Sequence, residues 1–475
     1  MKQAKHFLLN IDSKVLVFSL VAIAIALRLP YVFDDFWLDE IWSLNLAKSV
    51  DSISAAVTEL KFDANHILNT VQFYLVGASD SWINYRIVSF ISGIASLFLI
   101  YRVALIFGRR QAIIATLLSS VCFPLVLYAS EARGYAMSIM FSLIAFLSLH
   151  SYLVRGKTIF AALFWVSCIL AMLSHFSFAY IYAAYLQWSV YFLWKNRQSK
   201  QQFLWLCSKL QIVPLIVFAF LYFSFIQKMG VAGANVSTWR HEISKFVALV
   251  YGLPKIPILT LPYLCFTLFA ITWVSCSLYK KQSYYWPLFG LLIVVNPVLV
   301  ILIADYGYPQ MRYFLLLLPF LLIVLSIFLV AMYRKTRQGR IFYCVFLATY
   351  LLGSLILDFS FIRHGRGEYL AAMQYLVENT PSESISVGSD HDYRNFALLE
   401  FYSQYLPGNK SIRYIAQQRL KDNPPNWYIA HDLVKSAKVK DTIVVADRNY
   451  QLVASYLAYD PEIIGWHWHI YKIAN

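Results

Sequence analysis

Long apolar runs parted by short polar loops fill the chain as far as about residue 362. Eleven such runs fall at roughly 14–33, 83–107, 111–129, 134–154, 158–175, 177–194, 204–226, 258–279, 285–304, 312–332 and 341–361. Each has the roughly 17–25 apolar residues that a helix needs to cross a bilayer. The fifth and sixth are separated only by "SHFS". Beyond residue 362 the pattern changes. "EYLAAMQYLVENTP" reads as an amphipathic helix stopped by Pro381, and "NFALLEFYSQYL" as a second helix. "SISVGS", "SIRYIA", "NWYIAH", "DTIVVAD" and "WHWHIYKI" are strand-like. The pattern predicts a polytopic α-helical membrane domain over 1–362, with about 11 transmembrane helices, and a small α/β domain over 363–475.

Composition agrees. The 475 residues are 60% hydrophobic and 14% charged, against about 25% charged in a soluble domain. A net charge of +15 could serve a nucleic-acid partner, but the basic residues are not gathered on one stripe. They sit between apolar runs, in "GRRQ", "VRGK", "WKNRQSK", "YKKQ" and "YRKTRQGR". That is the positive-inside pattern, and it excludes a phosphate-tracking groove. With the N-terminus cytoplasmic, all five clusters are cytoplasmic and the C-terminal domain lies outside. The first run lacks a small-residue cleavage site and is expected to stay as a helix. The six cysteines form no CxxC and read as small buried residues.

This topology sorts the polar residues. The inner loops are basic and otherwise bland, whereas Asp34, Asp35, Asp39, Glu40, Asp63, His66, Glu131, Arg133, His175, Asp305 and Arg312 all fall on outer segments. The first outer loop, 34–82, is long enough for one or two amphipathic helices lying on the surface, with Trp37 and Trp42 suited to the interface. Adjacent residues on a helix diverge by about 100°, so Asp39 and Glu40 cannot both face one atom. Two ionised carboxylates about 6 Å apart repel by roughly 3 kcal/mol at an effective dielectric near 20. A nearby cation is therefore expected, and Arg28 is the candidate.

"LDE", then "DANHILN", then "YASEARGYA" and later "MRYFLLLLP" stand in the order and spacing of the family 39 glycosyltransferases. The chain resembles that family, which has the GT-C fold and is related to protein O-mannosyltransferases and to the aminoarabinose transferase of lipid A. Where the family has "HPP" or a similar stretch after the first acidic motif, this sequence has "NHILN". The resemblance implies an integral membrane enzyme with its active site on the outer side, and the compact architecture points to a bacterial plasma membrane, whose outer side is the periplasm or cell exterior. The enzyme would move one sugar from a polyprenyl-phosphate donor to a hydroxyl of a lipid, glycan or protein acceptor. By carry-over Asp39 is the general base and Glu40 its supporting neighbour. Arg133 and Arg312 are candidates to hold the leaving phosphate, for which guanidinium forks are suited, with Arg28 a third. Asp63, His66, Glu131, Tyr135, His175 and Tyr313 complete the candidate substrate-binding set. One base and a good leaving group imply an inverting displacement.

Blander readings stand beside these. Asp63 and His66 fit either a metal or acceptor pair or a surface turn, and Arg312 fits an interfacial anchor. No cofactor is required; a divalent metal held by Asp39, Asp63 or His66 is permitted. His467 and His469 share a strand face but lack a third ligand. Asn296–Pro297 is expected to break its helix. The rival function classes are a transporter or flippase, disfavoured by the lack of an internal repeat, and a glycan ligase or polymerase.

Overall fold

The computed structural model describes residues 13–62, 64–230, 238–254, 256–303, 310–407, 410–432, 439–460 and 465–474. Every one of the eleven apolar runs is helical. Among the described residues seven helices are long and apolar enough to cross a membrane: they begin at Val15, Ile83, Tyr135, Lys200, Pro257, Met311 and Arg337. The other four runs form shorter or interrupted helices. One is split into Arg109–Val121 and Phe123–Tyr128, because Pro124 sits in the first turn of the second piece, where a missing N–H costs nothing. Thr158–Ser174, Phe178–Lys195 and Leu288–Ile303 supply the rest. The Asn296–Pro297 step does not break its helix. A π-turn over Leu291–Val295 absorbs the proline, and the Asn296 amide exchanges hydrogen bonds with Gln187 at 3.0 and 3.2 Å.

The chain divides into two compact units. The first comprises residues 1–32, 50–75 and 85–358. The helix Leu318–Lys335 lies at its centre: the span to which it belongs is 89% buried, against 22% for the spans starting at Lys200 and Pro257. Polar side chains tie this unit together internally. Arg28 donates from Nη1 to the carbonyls of Ala24 and Ser120 and from Nη2 to that of Ser119. Tyr31 donates to Asp358 Oδ1 at 3.0 Å.

The second unit gathers residues 33–49 and 76–84 with 359–475. Its sheet has six strands in the order β2-β1-β3-β6-β5-β4. They are β1 (Ser384–Ser389), β2 (Ser411–Ile415), β3 (Trp427–Asp432), β4 (Thr442–Val445), β5 (Arg448–Tyr456) and β6 (His467–Ile473). β1 runs parallel to β2 and β3, and the remaining pairs are antiparallel. Five of the strands match the sequence reading; β5 was hidden because "RNYQLVASY" carries its alternation on mixed polar residues. The helices Tyr369–Glu378 and Asp392–Ser403 lie where the sequence puts them.

Two acids that follow the first apolar run belong to the scaffold of this unit. Asp34 Oδ2 accepts from the Arg366 backbone N–H at 2.9 Å and its Nη1 at 3.1 Å. Asp35 Oδ2 accepts from Leu370 N at 3.0 Å, in the first turn of the helix Tyr369–Glu378. A carboxylate there meets otherwise unsatisfied N–H groups and the positive end of the helix dipole.

Candidate functional site

In the first unit, four segments distant in sequence converge on one cluster of rings. His66 and His175 stack with centroids 4.6 Å apart and an interplanar angle of 27°. Tyr135 lies 4.4 Å from His175 and 5.6 Å from His66. Tyr128 packs edge-on against Tyr135 at 5.0 Å, and Tyr313 approaches His175 at 6.2 Å. The guanidinium groups of Arg133 and Arg312 act on both imidazoles.

Local structure explains how each arrives. "SEARG" forms a buried turn between two helices, with Ser130, Glu131 and Arg133 all nearly inaccessible. Asn69 Nδ2 donates to the carbonyl of Ala132 at 3.0 Å, and the Ser89 hydroxyl to that of Arg133 at 3.1 Å. Gly134 lets this turn close down: a Cβ there would lie 1.8 Å from the carbonyl oxygen of Ser174 and 3.1 Å from Cβ of His66. His175 is the extended residue at the end of the helix Thr158–Ser174. Its Nδ1 accepts from the Ser177 N–H at 3.1 Å, which fixes the proton of the neutral ring on Nε2. Arg312 opens a 3₁₀ turn whose first N–H, on Met311, donates to Glu242 Oε2 at 3.2 Å. Glu242 also pairs with Lys245 at 2.7 Å.

The electrostatics follow from burial beside two cations. Burial lowers the His175 pKa to about 3, with Arg133 and Arg312 adding to the effect. Burial and Arg133, then His175 and Arg312, hold His66 well below the usual histidine range. Both rings are thus neutral near pH 7, and Nε2 of each is buried without a hydrogen-bond partner. The cluster thus brings two guanidinium groups near two neutral imidazoles whose Nε2 atoms are buried.

The second unit holds the acidic motif. Asp39 and Glu40 lie in the first turn of the helix Leu38–Lys48. Glu40 is fully buried and its carboxylate accepts from the Trp37 N–H at 3.2 Å, which caps its own helix. Asp39 is partly exposed, and its charge acts on Arg394 of the helix Asp392–Ser403.

Of the sequence candidates, His66, Arg133, Tyr135, His175, Arg312 and Tyr313 come together, and Glu131 lies in the same buried turn. Arg28 is spent differently. Its Nη atoms donate to the helix carbonyls of Ala24, Ser119 and Ser120 inside the first unit. Asp63 and Asp305 lie outside the described residues. Among the described residues no group of three or more His, Cys, Asp or Glu could hold a metal ion. His467 and His469 are used in the sheet: Nδ1 of the first accepts from Ala458 N, and that of the second bonds the Ser455 hydroxyl. The sequence reading missed Tyr128, Asn69 and Glu242. Asn69 was visible as the buried end of "NHILN"; Glu242 had no local signal.

No family model matches the chain, and no curated protein sequence matches it significantly. Solved structures do match. ArnT from Cupriavidus metallidurans in the apo state superposes with a TM-score of 0.51 at 12% identity, over 96% of this chain and 97% of that one. The fold is of the GT-C type. The same ArnT bound to undecaprenyl phosphate gives a TM-score of 0.45 at 12% identity, covering 96% and 97%. The Archaeoglobus fulgidus oligosaccharyltransferase, in complex with Zn and sulfate, gives 0.47 at 12% identity, covering 88% of this chain and 68% of that one. The protein is an integral membrane protein with a small C-terminal sheet domain.

Proposed function

We propose that this protein is a membrane glycosyltransferase that moves a single sugar from a polyprenyl-phosphate donor to an acceptor hydroxyl on the outer face of the membrane. The observation that carries the reading is the convergence of His66, Tyr135, His175 and Tyr313 in one ring cluster on which Arg133 and Arg312 act, in a GT-C fold. A lipid phosphate needs fixed positive charge where negative charge develops as the sugar departs. Arg133 and Arg312 supply it, and the Nε2 groups of His66 and His175 supply further hydrogen-bonding capacity. Asp39, by resemblance to family 39, takes the proton of the attacking hydroxyl. The sugar carbon then passes from phosphate oxygen to acceptor oxygen with inversion, the proton going to Asp39. Glu40 sets the start of the Asp39 helix through its bond to the Trp37 N–H.

The alternating basic loops support a cytoplasmic N-terminus, with the donor and acceptor outside; a bacterial plasma membrane suits this arrangement. The domain reading, 1–362 for the membrane part and 363–475 for an outer α/β part, belongs to the same proposal. The test is transfer or release of sugar from a panel of radiolabelled polyprenyl-phosphate sugars by the purified protein. Turnover that is lost in folded Asp39→Asn supports the assignment and names the sugar. Asp39→Asn as active as the wild type would remove Asp39 from the mechanism.

A further inference from the structure

We infer that Arg394, from the C-terminal part of the chain, is the cation beside which Asp39 works, a positioning residue for the proposed base. The inference rests on the reading of Asp39 given above and deepens it. All the residues concerned lie in the second unit.

The helix Leu38–Lys48 packs against Asp392–Ser403. Trp42 meets Tyr393 with ring centroids 5.2 Å apart, and Phe36 stacks on Phe401 at 5.3 Å. The Tyr402 hydroxyl donates to the carbonyl of Phe36 at 2.8 Å. Phe36 lies three residues before Asp39, so these contacts fix the loop that carries it. Arg394 follows Tyr393 and is only 7% exposed. Burial disfavours its charge; Tyr369, by charge and hydrogen bond, and then the Asp39 carboxylate, favour it.

A column of rings sets the guanidinium. Arg394 Cζ lies 3.7 Å from the centroid of Trp466, and His431 stacks on Trp466 at 3.9 Å and 18°. Two groups that close to one centroid must occupy opposite faces. Asp390 holds His431 from two sides, by Nδ1 to Oδ1 at 2.7 Å and the backbone N–H to Oδ2 at 2.9 Å. His391 Nδ1 accepts from the Arg394 N–H at 3.3 Å. Nε and Nη2 of Arg394 have no hydrogen-bond partner. A fully structural arginine would be expected to use those donors. A guanidinium kept buried, clamped on an indole and incompletely bonded is held for its charge. Its charge and that of Asp39 favour one another across the two packed helices.

The experiment uses the full-length protein in detergent, with Arg394→Gln, Arg394→Lys, Asp39→Asn and the double variant Asp39→Asn/Arg394→Gln. Thermal unfolding of these forms gives a double-mutant cycle that needs no turnover. The expected result is that Arg394→Gln lowers Tm less in the Asp39→Asn background than in the wild type. In turnover with the polyprenyl-phosphate sugar donor, Arg394→Gln should lose kcat by about tenfold to a hundredfold. KM should change little, and Arg394→Lys should recover most of the loss. Additive Tm changes overturn the inference whatever the kinetics show. A wild type inactive with every donor would count against the proposed function, while the cycle would still decide the coupling of Arg394 to Asp39.

Discussion

The His66–His175 cluster and the "DDFWLDE" segment both come from loops rich in ionisable residues, yet they use charge in opposite ways. In the cluster, two arginines act on two rings that burial keeps neutral, so the imidazoles carry no charge of their own near pH 7. In the acidic segment most of the charge serves the chain itself. Asp34 takes Arg366, Asp35 takes the Leu370 N–H, and Glu40 takes the Trp37 N–H. Asp39 remains partly exposed, with Arg394 acting on it. Neighbouring acids in sequence therefore do not share a role. Four residues drawn from distant loops do.

The sharpest way to break this contrast is to neutralise acids one at a time. Asp39→Asn should lower kcat by about 10²–10⁴-fold, the usual contribution of a placed general base, with a fall in Tm smaller than that of Asp34→Asn because Asp39 is partly exposed. Asp34→Asn should do the reverse. It removes one partner of the wholly buried Arg366 side chain, a loss that costs about 3 kcal/mol or more in a buried pair. Thermal unfolding would detect it, and turnover per folded molecule should stay near that of the wild type. Equal effects of the two substitutions on kcat would erase the distinction between them.

A second way is to alter the packing under the cluster. Gly134→Ala puts a methyl group 1.8 Å from the Ser174 carbonyl oxygen, so the turn carrying Arg133 must shift. Overpacking of this kind costs about 1–3 kcal/mol, and donor affinity should fall with it. Ligand-binding and thermal-shift measurements on the same sample would show both.

The smallest effect concerns pH. A histidine with pKa near 6.5 when unfolded and about 3 in the fold, as for His175, binds its proton only in the unfolded state between those values. Its stabilisation is therefore complete above pH 6.5 and falls as pH drops towards 3, by up to about 1.4 kcal/mol per pH unit. His175→Gln should flatten the acid side of the Tm profile. An unchanged slope would mean that the ring is already protonated in the fold.

Much of this was legible in the sequence. The eleven helical runs follow from apolar length, and the basic loops between them order the chain without any knowledge of packing. Motif order also named His66, Arg133, Tyr135, His175, Arg312 and Tyr313, because outer-loop placement is a topological property. What sequence could not show was how a charge is spent. Arg28 lies near the end of the first run, as a partner for Asp39 would, but its rotamer turns it to the carbonyls of Ser119 and Ser120. That Glu40 accepts from the Trp37 N–H at the start of its own helix is a structural detail the motif does not carry. Arg394, about 350 residues from Asp39 in sequence, carries no local signal because only tertiary packing brings the two helices together.

The central claim is that Arg133 and Arg312 receive a lipid phosphate. The direct test is the binding of a polyprenyl phosphate, and of the matching polyprenol, to the wild type, Arg133→Gln and Arg312→Gln in detergent. The account predicts that each substitution weakens phosphate binding by about tenfold or more, in line with roughly 1.5–3 kcal/mol for a charged hydrogen bond, and leaves the weak binding of the alcohol unchanged. Phosphate binding as tight in both variants as in the wild type would contradict it.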